Sequence, residues 1–155
     1  LISRENQGQK QYLNNYRCFV DILNKEAWEQ KALIKAGELS VSELMQETFT
    51  RIANVNPKVN AIVDLLSKED CDKLTSENFV REGSLGGMPM AIKDLADVKG
   101  FKTTEGSPLY SERVAQKDDQ MVSRLRAAGA LFIGKTNTPE FGLGSNTFNP
   151  VYGKT

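Results

Sequence analysis

The stretch Gly86-Gly87-Met88-Pro89-Met90-Ala91-Ile92-Lys93-Asp94 decides how this chain is read. A glycine turn runs into a short apolar strand, and the strand ends on a lysine. Further on, Ala130-Leu131-Phe132-Ile133-Gly134-Lys135 is a second apolar strand. Between them Asp118 or Asp119 can cap a helix whose core-facing residues are Met121, Val122, Leu125 and Ala128, with Gly129 as its left-handed stop. Strand, long loop, helix, strand reads as a right-handed parallel crossover in a sheet with helices on its faces. Residues 88–92 are apolar on both faces, which suits a central strand.

Working outward, Thr138-Pro139-Glu140 has the chemistry of a second helix start. Gly142-Leu143-Gly144-Ser145-Asn146 and Asn149-Pro150-Val151-Tyr152-Gly153 follow. These small, turn-forming residues stand just past a strand end, where open α/β sheets keep their ligands. Residues 99–117 are turn-rich, and a loop of that length in a compact unit is usually functional or mobile.

Upstream, Ser40-Val41-Ser42-Glu43 forms a capping box, with Val41, Leu44, Met45, Thr48, Phe49 and Ile52 on one apolar stripe behind it. Pro57 is expected to stop that helix. Residues 59–66 read as a strand containing Asp64, and residues 68–81 as an exposed, mixed-charge helix. Residues 1–16 are a polar lead-in. Residues 16–35 carry Phe19, Ile22, Leu23, Trp28, Leu33 and Ile34 as a helical packing arm. The fold class is therefore α/β. Residues 1–57 are a helical lead-in and residues 58–155 begin a mixed, helix-flanked sheet, together one partial domain.

Composition narrows the function. With 20 basic and 20 acidic residues, no net field recommends nucleic acid or an anionic membrane as a partner. No apolar run approaches the length of a bilayer span. The first residues lack the layout of a signal peptide, and without an initiator Met the start reads as trimmed. Cys18 and Cys71 are far apart, which suits a reducing, cytoplasmic setting better than a disulfide scaffold. Histidine is absent, which removes Ser-His-Asp and Cys-His catalysis and most zinc sites from within the chain. We expect no metal and no organic cofactor. A general base here must be a carboxylate, a tyrosine or a lysine.

Gly129-Ala130-Leu131-Phe132-Ile133-Gly134-Lys135-Thr136 spells the phosphate-loop pattern. Its spacer residues, however, are themselves the strand, whereas a phosphate loop follows its strand and opens a helix. Gly142-x-Gly144 lacks the third glycine of a dinucleotide fingerprint. Lys93 has a bland reading, a strand-end lysine snorkelling to water or paired with Asp94 or Asp97. It also has a sharp one. Burial at the end of an apolar strand penalises the charged amine and frees it to act as a base toward a serine hydroxyl.

Several blocks together resemble the amidase-signature family. They are Gly87-Met88-Pro89-Met90-Ala91-Ile92-Lys93-Asp94, Thr103-Thr104-x-Gly106-Ser107, Arg124-Leu125-Arg126-Ala127-Ala128-Gly129-Ala130, Gly134-Lys135-Thr136-Asn137-x-Pro139-Glu140-Phe141 and Gly144-Ser145-Asn146-Thr147-x-Asn149-Pro150-Val151-Tyr152-Gly153. Upstream, residues 32–40 and 51–61 are similar to the family's helical entry. The resemblance implies hydrolysis of a small carboxylic amide through a Ser–cis-Ser–Lys triad, with Lys93 as the lysine. It implies that Gly142, Leu143 and Gly144 lie near the acyl pocket. Both serines belong to a Gly-Ser-rich segment that this chain lacks, so the resemblance implies the N-terminal portion of an amidase, inactive alone. Thr138-Pro139-Glu140-Phe141 and the Asn149-Pro150 pair look more like a stand-alone amidase than the A subunit of a tRNA-dependent amidotransferase. The amidotransferase is the alternative. A third reading is a non-catalytic half-domain that binds or homo-oligomerises through an open sheet edge.

Overall fold

The computed structural model describes residues 22–76 and 82–155. The expected polar lead-in over residues 1–16 lies outside them, as do most of the first part of the packing arm and the end of the helix expected over 68–81.

Two helices open the described chain. Helix α1, Ala27–Ala36, ends on Gly37 in the left-handed region at φ 73°. Helix α2, Val41–Val59, starts as expected: Ser40 Oγ accepts from the Glu43 amide, and the Glu43 carboxylate accepts from the Ser40 amide. Hydrogen bonds from the Ser40 hydroxyl and amide hold the Glu43 carboxyl below its ordinary range. Val41, Leu44 and Met45 of its stripe are buried.

Pro57 does not stop α2; the helix runs through it to Val59. A proline in the last turn forfeits one N–H bond, and the helix closes three residues later, where Asn60 turns left-handed. Asn56 finishes the exit. Its Oδ1 accepts from the amides of Ala61 and Ile62, and its Nδ2 donates to the Ile62 carbonyl.

Strand β1, Ile62–Leu65, helix α3, Lys68–Ser76, and strand β2, Pro89–Lys93, come next. Helix α4, Gln120–Ala127, and strand β3, Leu131–Thr136, complete the main sheet. Its order is β1-β3-β2, with β3 parallel to β2 and antiparallel to β1. The expected parallel pairing of the two apolar strands and the mixed sheet are both present. The expected centre is not: β3 lies in the middle and β2 at an edge of the described sheet. The reason lies in the side chains. From Leu131 to Lys135 every residue of β3 is buried, whereas β2 buries only Ile92.

Strand β3 feeds two cores. Leu131 and Ile133 pack with Val41, Met45 and Cys71 from α2 and α3. Phe132 and Ala130 pack with Ile92, Val98 and Val122. Val122 is the buried residue of α4, and Gly129 turns left-handed behind that helix at φ 95°. Met121, expected in the core, is 53% exposed, because the helix offers only one narrow stripe to the sheet.

The second helix expected at Thr138-Pro139-Glu140 is only a short 3-10 turn, Glu140–Gly142. Phe141 and Gly142 are both left-handed, at φ 53° and 73°, and no α-helix propagates through such a pair. Strands β4, Phe148–Asn149, and β5, Gly153–Lys154, pair as a small hairpin.

Candidate active site

Lys93 is the last residue of β2, and it is exposed. The expectation that its strand carries the amine out of water therefore fails among the described residues. An edge strand has no neighbour to cover its outer end. The exposure fits the bland expectation of a strand-end lysine reaching water, and only the expected pairing with Asp94 or Asp97 fails. Lys93 makes no ion pair among the described residues, because both nearby acids are taken: Asp94 by Lys135 at 3.2 Å and Asp97 by Arg113 at 2.7 Å.

The buried lysine is Lys135, on the central strand. Both it and Asp94 are 0% exposed. Its ammonium donates to Asp94 Oδ1 at 3.2 Å, to the Lys102 carbonyl at 3.0 Å and to Thr103 Oγ1 at 2.9 Å. Three acceptors match the three protons of a charged amine. Burial pushes its pKa down, and Asp94 opposes that most strongly, with weaker help from Asp97 and Asp64. Sequence reasoning sets Lys135 at the end of an apolar strand and inside the false phosphate-loop match, but gives it no role and so misses it. The signal that could have found it is a lysine on an apolar strand, with Asp94 and two consecutive threonines, Thr103 and Thr104, available elsewhere to serve it.

Asp94 is held from its other side by Thr104. The Thr104 amide reaches both carboxylate oxygens at 3.2 Å, and its hydroxyl donates to Oδ2 at 2.5 Å. The Thr104 hydroxyl also bonds Tyr152, whose phenol is pushed upward by burial.

Backbone bonds tie three segments together here. The Glu105 amide donates to the Asp94 carbonyl, and the Phe141 amide to the Glu105 carbonyl at 2.7 Å. Loop 103–107 is thereby stitched between the end of β2 and the turn after β3. Gly142 lies close over Leu95; a Cβ there would meet Leu95 Cδ1 at 2.9 Å. Thus Gly142 stands beside the turn that follows Lys93. Leu143 is 80% exposed, and Gly144 is exposed next to it. Asn149 secures the far side: its Nδ2 donates to Asn137 Oδ1 and the Thr138 carbonyl, while its Oδ1 accepts from the amides of Val151 and Tyr152.

The Gly129–Thr136 match is no phosphate loop, since Gly134, Lys135 and Thr136 are strand residues. Among the described residues no group of acids and cysteines is placed to hold a metal ion. None of the described helices is long and apolar enough to cross a membrane.

The amidase family model matches residues 43–155. This chain belongs to the amidase family. It is 39% identical over 134 residues to an acylamidase of Rhodococcus erythropolis, covering 83% of this chain and 28% of that protein. It is 37% identical over 127 residues to the A subunit of the glutamyl-tRNA(Gln) amidotransferase of Syntrophobacter fumaroxidans, covering 79% of this chain and 26% of that one. Among solved structures it is similar to 6-aminohexanoate cyclic dimer hydrolase, with a TM-score of 0.74 and 31% identity over 84% of this chain and 27% of the other. The chain thus spans roughly a quarter of the length of the relatives it matches.

Proposed function

We infer that this chain supplies the lysine base of an amide hydrolase that works through a Ser–cis-Ser–Lys triad. The observation that carries the reading is Lys93. It ends a strand beside a stitched glycine-bearing loop, with its amine unpaired among the described residues, in a chain that belongs to the amidase family. In the complete site the amine takes the proton of the bridging serine, which takes that of the nucleophilic serine. The nucleophile adds to the amide carbonyl, the protonated amine leaves, and water cleaves the acyl ester to the acid. Both serines and the donors for the oxyanion lie outside these residues.

The substrate class is a small carboxylic amide. Gly142, Leu143 and Gly144 would line its acyl group: the glycines let backbone approach closely, and Leu143 offers an exposed apolar surface near the Lys93 turn. The chemistry needs no cofactor, and a cytoplasmic setting suits the separated cysteines.

The test is hydrolysis of simple aliphatic and aryl amides by the product of the gene's complete reading frame. Activity should be present and should vanish in Lys93→Ala, while purified 1–155 should show none. Full activity in Lys93→Ala would overturn the role given to the lysine.

A second reading rests on the near-equal likeness to an amidotransferase component. In that case the protein would co-purify with further subunits and act on free glutamine only in their company. Activity of the isolated polypeptide on simple amides separates the two.

A further inference from the structure

The buried Lys135–Asp94 pair is more than packing requires. Bringing two charges out of water is costly, and a well-packed apolar pair of similar volume often serves stability as well. Here the pair lies directly behind the proposed base. Asp94 follows Lys93 in the chain, and Ile92, which precedes it, pairs with Lys135 across the ladder. The main chain around Lys93 is fixed too: the Asp94 amide donates to the Thr136 carbonyl, and the Ala96 amide to the Lys93 carbonyl.

Successive residues of an extended chain point to opposite faces. Within β2 that alternation sets buried Ile92 against exposed Lys93. Asp94, first residue of the turn beyond, is clamped inward by Lys135 and Thr104, which holds the strand end in that register. The pair also settles the charge. A buried Asp94 carboxylate without Lys135 would put an uncompensated negative charge one residue from Lys93. That charge would draw the Lys93 side chain into an ion pair and so occupy its amine. Asp64 on β1 and Asp97 after β2 add negative field around Lys135. Arg113 already engages Asp97, and the Tyr152 phenol stays neutral beside Thr104.

We propose that Lys135 is a positioning residue for Lys93: by clamping and neutralising Asp94 it turns Lys93 outward and leaves its amine free for a hydroxyl partner. The proposal rests on the reading of Lys93 as the base. Its test needs no turnover, so the two can fail separately.

The experiment measures acylation of Lys93 by a small anhydride at mildly alkaline pH, read by peptide mass spectrometry against exposed Lys68 in the same molecule. Lys135→Met exposes Lys93 to a bare carboxylate and should slow its labelling at least about three-fold. Asp94→Asn leaves a bare buried ammonium and should quicken it at least about two-fold. The double variant should return to about the wild-type ratio, since neither charge remains. A merely structural pair would loosen the site in both single variants and move them in the same direction. Equal ratios in all folded variants, or shifts of one sign, would overturn the proposal. If Lys135→Met does not fold, as judged by amide-exchange protection of β3, the Asp94→Asn and double variants decide between the same outcomes.

Discussion

The Thr104 hydroxyl meets Asp94 Oδ2 at 2.5 Å, and both residues are wholly buried. A hydroxyl donating to a carboxylate at this distance is a charge-assisted bond, stronger than a neutral one. Thr104→Val keeps the shape and removes the donor, leaving Oδ2 with only the Thr104 amide. We expect a loss of about 2–3 kcal/mol, seen as a lower urea midpoint with an unchanged slope. A change under about 0.5 kcal/mol would show that the network re-satisfies Asp94 by another route.

Much of this fold was legible because its signals are local. The Ser40–Glu43 box, the Val41–Leu44–Met45 stripe and the Gly129 stop each depend on neighbours in sequence, and each is present. The parallel pairing of β2 with β3 followed from two apolar strands around one helix. What escaped depends on long-range partners. Pro57 is the local exception: it passes inside the helix because Asn56 just before it and Asn60 just after it complete the exit. The Thr138-Pro139 start yields no α-helix because the Phe141 amide is committed to Glu105, far upstream. Lys93 is exposed, against the expectation of burial, and Lys135 is buried for the same reason. Which lysine is buried depends on which strand lies in the middle, and strand order is not a local property.

Gly142 is a second position where the chain has little freedom. Its φ of 73° favours glycine, and an added Cβ would fall 2.9 Å from Leu95 Cδ1. That carbon is the tip of a flexible side chain, so the clash is partly relievable and the backbone strain is not. Gly142→Ala should cost about 1–2 kcal/mol. Adding Leu95→Ala should recover the steric part alone, so a double-mutant cycle should show a coupling of at least about 0.5 kcal/mol. Strict additivity would place the whole cost in the backbone.

Lys93 should be separable from stability. It is exposed and makes no ion pair among the described residues. Lys93→Ala should therefore shift the unfolding free energy by no more than about 0.5 kcal/mol. A residue kept for chemistry can be lost without weakening the fold; one kept for structure cannot. A loss above about 2 kcal/mol in chemical denaturation would give Lys93 a structural role and weaken its assignment as the base.

Asp118 sets a pH dependence whose sign can be worked out. Its carboxylate accepts from Arg126 Nε at 2.6 Å and Nη2 at 2.9 Å, and from the Lys99 amide at 2.8 Å. The Arg126 bond chiefly holds its pKa below the ordinary carboxylate value. A carboxyl depressed in the folded state contributes stability that is present above its unfolded pKa. That contribution is lost as pH falls through the folded value. Arg126 is partly exposed, so solvent screens the pair and the contribution should be about 1 kcal/mol. The same contact keeps the guanidinium over the Phe132 ring, 4.7 Å from its centroid, so α4 is tied to the central strand through this arginine. Asp118→Asn should thus be less stable than wild type at neutral pH, and the gap should close on acidification below the carboxylate range. Urea unfolding of both proteins across pH measures that gap. A gap that stayed constant or widened in acid would assign the stabilisation to packing at Phe132 rather than to the charge on Asp118.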